Sequence, residues 1–63
     1  MAYPNVKAEM ARKNITAKEL ARDIGVTAQT FSSWMSGKTA PSIKSAIKIA
    51  EILGRDVAYL FAE

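Results

Sequence analysis

The amino-acid sequence predicts an all-α fold of five short helices, and three observations carry that expectation. Apolar residues recur at intervals of three and four, while alternation with a period of two is hardly seen. Residues that start helices (Thr16, Thr27, Ser42, Asp56) and residues that end them (Asn14, Gly25, Gly37, Gly54) succeed one another along the whole chain. The connections between them are so short that a compact bundle is the only layer arrangement left.

The first helix is expected over about Pro4 to Lys13. Proline suits its opening turn, Val6 and Met10 lie one turn apart on a buried face, and Asn14 tolerates the left-handed conformation that closes a helix. The second opens with Thr16-Ala-Lys-Glu19, a capping box in which hydroxyl and carboxylate each satisfy an orphan backbone N–H. Leu20 and Ile24 define its inner stripe, and Gly25 stops it because the reversal needs a positive φ. Thr27 caps the third helix, whose Phe31, Trp34 and Met35 fall at i, i+3 and i+4 on one face, and Gly37 ends it. After a loop over Lys38 to Pro41, Ser42 caps a fourth helix whose Ile43, Ala46, Ile47, Ile49, Ala50 and Leu53 are expected to point largely inward. Gly54 terminates it, and Asp56 caps a last short helix that folds Val57, Leu60 and Phe61 onto the core.

Residues 1–63 are read as one domain, since two cannot fit in this length. A chain this small has a stability of only about 3 to 9 kcal/mol and little to spare for strain. The absence of His and Cys excludes the usual zinc sites, thiolate nucleophiles, a Ser-His-Asp triad and disulfides, so no enzyme, metal or cofactor is expected. The longest apolar run, Val57 to Ala62, is far below the ~20 residues that cross a bilayer, which predicts a soluble, cytoplasmic protein.

Charge is unevenly spread. The chain has 9 Lys and Arg against 6 Asp and Glu, a net +3. Its excess lies in residues 1–44, where Lys7, Arg12, Lys13, Lys18, Arg22, Lys38 and Lys44 face only Glu9, Glu19 and Asp23. A basic front and a near-neutral back suit a domain that meets a polyanion with one side.

Residues 17–36 make the reading specific. Two helices of about eight residues joined by a short turn containing Gly25 form a helix-turn-helix unit. Leu20, Ile24, Val26, Phe31 and Trp34 are apolar where those helices share a core, and Ala21 is small where they cross. Trp34 is assigned to that core, not to base stacking, by its spacing with Phe31 and Met35.

With those residues in place, the chain resembles the phage repressor and Cro type (XRE-like) of helix-turn-helix regulators over nearly its full length. It shares Ala21, Gly25, Phe31-Ser-Ser-Trp34, Ser36-Gly-Lys38, Pro41-Ser42 and Ile52-Leu-Gly54 to Leu60-Phe61. The resemblance implies a lambda-repressor-like five-helix domain that binds double-stranded operator DNA as a homodimer, formed in solution or only on DNA. It also implies that the third helix enters the major groove, the docking described for phage repressors generally. With Phe31, Trp34 and Met35 buried, Ala28, Gln29, Ser32 and Ser33 become the expected base-contacting side chains. Gln29 alone can make a bidentate pair, typically with adenine, and Ala28 can pack on a thymine methyl. Phosphate contacts are implied for Thr16, Ala17, Thr27, Lys38, Thr39 and Lys44, with Thr30 on the flank. Arg55, Ala58 and Tyr59 are the residues left for a subunit contact, and no small-molecule ligand or membrane partner is expected.

Two departures from the family pattern stand out. Ala17 replaces a Gln whose side chain clamps a phosphate, and Met10 with Met35 replaces an Arg and Glu ion pair between the first and third helices. Two thioethers are expected to fill that space by packing. A stand-alone Cro-like repressor that occupies promoter DNA is the reading adopted. Two others fit the same residues: an antitoxin-like or regulatory module that presents Ala28, Ser32 and Ser33 to another protein, and a nucleic-acid binder with little sequence preference.

Overall fold

A computed structural model describes residues 2–62. Among them are five helices and no strand: α1 (Pro4–Arg12), α2 (Ala17–Ile24), α3 (Ala28–Ser36), α4 (Ile43–Leu53) and α5 (Val57–Leu60). The expected order and type of every element hold, and α1 stops one residue early, with Lys13 as its cap.

Local chemistry sets the boundaries. Thr16, Thr27 and Ser42 each accept a hydrogen bond from the backbone N–H three residues on, at 3.1, 3.0 and 3.1 Å. Asn14 adopts φ +55°, the left-handed conformation assigned to it, and Ile15 N–H then donates to the Met10 carbonyl at 2.9 Å. Gly25 takes φ +82° between α2 and α3, so the chain reverses within three residues. Asp56 departs from expectation: it precedes α5 in extended backbone, but its side chain makes no capping bond.

The core is formed by Val6, Met10, Leu20, Ala21, Ile24, Phe31, Trp34, Ile49, Leu53 and Leu60, drawn from all five helices. The fourth helix corrects the inward assignment of its apolar residues. Ala46, Ile49 and Leu53 are buried and Ala50 is half-buried, but Ile43 is 81% exposed and Ile47 47%. The helical period explains this, because Ile43 and Ile47 lie on a row turned away from Ala46, Ile49 and Leu53. Val57 is likewise 38% exposed, and Leu60 and the half-buried Phe61 hold α5 in place without it.

A four-residue helix cannot persist alone. Full burial of Leu60 contributes roughly 1.5 to 3 kcal/mol, α5 packs on both α1 and α4, and α1 adds directional contacts. Asn5 Nδ2 donates to the Tyr59 carbonyl at 2.8 Å, and Tyr3 meets Phe61 edge-on with ring centroids 4.9 Å apart. Between them sits Glu9, a carboxylate only 3% exposed. Its Oε2 accepts from Arg55 Nη1 at 3.0 Å, Tyr59 Oη at 3.2 Å and Arg12 Nη1 at 3.2 Å, while the Arg55 guanidinium stacks 4.0 Å above the Tyr59 ring. A buried charge is tolerable only when so satisfied. Glu9→Gln is expected to lower stability by about 1 to 2 kcal/mol, read as a drop of several degrees in Tm by calorimetry, with the helical circular dichroism of the folded state retained.

Candidate nucleic-acid interface

The candidate interface starts with what lies beneath α3. Phe31 and Trp34 are buried with their rings edge-on at 6.0 Å, and α3 makes its most extensive contact with α2. Burying that side leaves Ala28, Gln29, Thr30 and Ser32 exposed, with Ser33 half-buried. The Ser33 carbonyl is engaged by the Lys38 N–H at 3.0 Å and the Ser36 hydroxyl at 3.1 Å, which tie the following loop to the end of α3. Ser36 extends the exposed row one turn beyond Ser32. Carrying the helical period of Ala28 and Ser32 four residues further would have found it.

Around this helix lie the groups assigned to phosphate. Thr16, Ala17, Thr27, Thr30, Lys38, Thr39 and Lys44 are all exposed. Their hydrogen bonds decide what each can offer. Thr16 is committed to the capping box: its N–H and hydroxyl donate to Glu19 Oε1 at 2.9 and 3.0 Å, while Glu19 N–H donates to its Oγ1. The opening of α2 therefore presents the N–H groups of Ala17 and Lys18, which have no partner within the helix. Thr27 donates its hydroxyl to Thr30 Oγ1 at 2.9 Å. Thr30 has accepted that bond and keeps its own hydrogen for an outside acceptor. Lys38 and Lys44 flank the loop after α3 as mobile point charges.

Met10 is buried and Met35 half-buried, both packed against the core. An open surface groove of about 550 Å³ lies beside them, lined by Lys7, Met10, Ala17, Phe31, Ser32, Met35 and Ser36. An ion pair does tie α1 to a distant part of the chain: Glu9 with Arg55, in the turn between α4 and α5. Arg55 and Tyr59, which sequence reasoning left for a subunit contact, are thus engaged within the chain, and Ala58 is exposed. The structural role of Glu9 was missed, for nothing local in the sequence distinguishes it from a solvated acid.

Two helices joined by a three-residue turn, the second presenting a polar face beside exposed cations, define a helix-turn-helix DNA-binding domain. Residues 6–60 match the helix-turn-helix family model HTH_3, and the chain belongs to that family. It is 38% identical over 56 residues to an uncharacterized HTH-type transcriptional regulator of Methanocaldococcus jannaschii, covering 89% of this chain and 85% of that protein. A second such regulator, from Archaeoglobus fulgidus, is 36% identical over 56 residues, covering 89% and 79%. Among solved structures, the N-terminal DNA-binding domain of SinR from Bacillus subtilis superposes with a TM-score of 0.77 at 30% identity, covering all of this chain and 93% of that one. The SOS-response repressor LexA from Eubacterium rectale superposes at 0.81 with 27% identity, covering 94% and 63%. The chain is an HTH-type transcriptional regulator domain, and its family is not one of enzymes.

The capping box at the interface edge makes a pH test. The Thr16 backbone N–H, then its hydroxyl, and more weakly Arg22 hold the Glu19 carboxyl below the usual glutamate range, against a small opposing effect of desolvation. A carboxyl lowered in the folded state stabilises it above the ordinary glutamate pKa, and that contribution is lost as pH falls through the folded value. In an NMR titration, Glu19 should titrate below an unstructured glutamate, and Thr16→Ala should move it upward.

Proposed function

We propose that this chain is a sequence-specific regulator that binds operator DNA as a homodimer, with α3 of each copy in the major groove, and represses by occupying promoter DNA. The carrying observation is the exposed polar face of α3, pinned from behind by Phe31 and Trp34 and bordered by Lys38, Thr39 and Lys44. Gln29 reads an adenine through N6 and N7, Ala28 packs against a thymine methyl, and Ser32 and Ser33 add weaker contacts. Thr16, Ala17, Thr27 and Thr30 sit at the two helix openings, where the free N–H groups of the first turns and the Thr30 hydroxyl meet phosphate oxygens. With no Arg on this face, the commonest guanine contact is missing. Each half-site is therefore read modestly, and two half-sites about one helical turn apart supply the affinity that one lacks. The cytoplasm is the compartment this reading requires, and no helix among the described residues is long and apolar enough to cross a membrane.

Selection of bound sites from random duplex DNA should return a pair of symmetric half-sites. Gln29→Ala should cost about 1 to 3 kcal/mol at one base pair per half-site and relax preference there. Lys38→Ala should weaken all sequences alike and reduce the salt slope by about 1. Weak binding indifferent to Gln29, with no enriched site, would instead favour a protein-interaction module.

A further inference from the structure

The outer face of α4 is poorly suited to water. Ile43 and Ile47 are its most exposed large apolar side chains, and Glu51 follows at the next four-residue interval on the same row. Exposed Lys44 and Lys48 run alongside. The helix thus has two apolar sides: Ala46, Ile49 and Leu53, with half-buried Ala50 and Ile52, meet this chain's own core, and Ile43 and Ile47 face away from it. Among the described residues, Lys44, Lys48 and Glu51 form no ion pair. A surface of this kind, apolar at the centre and rimmed by unpaired charge, marks a protein contact.

The order of charges along the row selects the occupant. Lys44 precedes Ile47 by about 4.5 Å along the axis and Glu51 follows it by about 6 Å. A second copy of α4 laid antiparallel across Ile47 brings its Glu51 beside Lys44, and its Lys44 beside Glu51. A parallel copy would set like charges together. A two-fold axis uses one patch twice, and this patch is complementary to itself in that one direction. We propose that α4 is the subunit contact: two copies pair antiparallel through Ile43 and Ile47, closed at both ends by Lys44 with Glu51. The assignment deepens the homodimer proposed above, moves its contact away from Arg55 and Tyr59, which Glu9 already holds, and takes Lys44 from the phosphate contacts into the subunit contact. The patch is smaller than a standard interface, so the pairing is weak in free solution and reinforced when DNA holds two copies side by side.

Sedimentation equilibrium on the 63-residue chain without DNA, from about 10 μM to about 1 mM, tests the contact separately from DNA binding. The unaltered chain should approach a dimer at the upper end. Ile47→Glu should weaken association by at least ~30-fold, and Lys44→Glu or Glu51→Lys by roughly 3- to 10-fold each. Lys44→Glu combined with Glu51→Lys should return it to within about 3-fold of the original. All three positions are solvent-exposed, and circular dichroism verifies that each variant is folded. A chain that remains monomeric to about 1 mM, an unaffected Ile47→Glu dimer, or a charge exchange that restores nothing overturns the proposal. Dimerisation that follows this pattern in a chain without sequence-specific DNA binding upholds the contact and defeats the operator reading instead.

Discussion

The burial of Phe31 and Trp34 is the constraint on which the rest of the structure depends. α3 has nine residues, too few to hold a helix unaided in water, so its orientation is inherited from what its inner face grips. The two aromatic rings enter a core supplied by α2, α4, α5 and α1, which fixes both the tilt and the rotation of α3. Rotation matters most. A turn of one residue about the helix axis would carry Gln29 toward the flank and bring Thr30 forward. The polar face has its particular composition because a specific pair of aromatic residues occupies the other side.

That core must in turn be closed, and α1 with α5 closes it by a different kind of force. Leu60 and Val6 bury apolar surface, but the register between the helices is set by directional contacts: Asn5 to the Tyr59 carbonyl, and Glu9 to both Arg55 and Tyr59. Hydrophobic burial tolerates sliding, whereas the Arg55 and Tyr59 donors converging on one Glu9 carboxylate oxygen do not. Replacing the network by apolar side chains of similar volume could leave the domain as stable, yet would remove the feature that selects one docking of a four-residue helix.

Local chemistry made much of this legible. Caps at Thr16, Thr27 and Ser42, the turn at Gly25 and the left-handed Asn14 each depend on residues within a few positions, and each was readable from the sequence. The aromatic anchors followed from one helical period. The failures share a cause as well. Glu9 meets partners 46 and 50 residues away, a separation that no short pattern encodes. Ile43, Ile47 and Val57 were placed inside because they are apolar, although the period of α4 turns Ala46, Ile49 and Leu53 to the core and carries Ile43 and Ile47 away from it. Hydrophobicity indicated that these side chains belong against something, and could not say whether that surface is in the same chain.

The two surfaces of the molecule complement one another. The face of α3 is small and polar, without Arg, and in the proposed major-groove docking would discriminate weakly at each base pair. The face of α4 is apolar but limited in area, and the pairing proposed for it would be weak. Either alone is a poor switch. In the homodimer proposed above, the first copy on a duplex would raise the local concentration of the second, and the free energy of pairing would be expressed only where two half-sites have the right spacing. On that proposal, modest affinity in each surface would keep isolated half-sites largely empty, and specificity would reside in the geometry between two copies more than in the contacts of one.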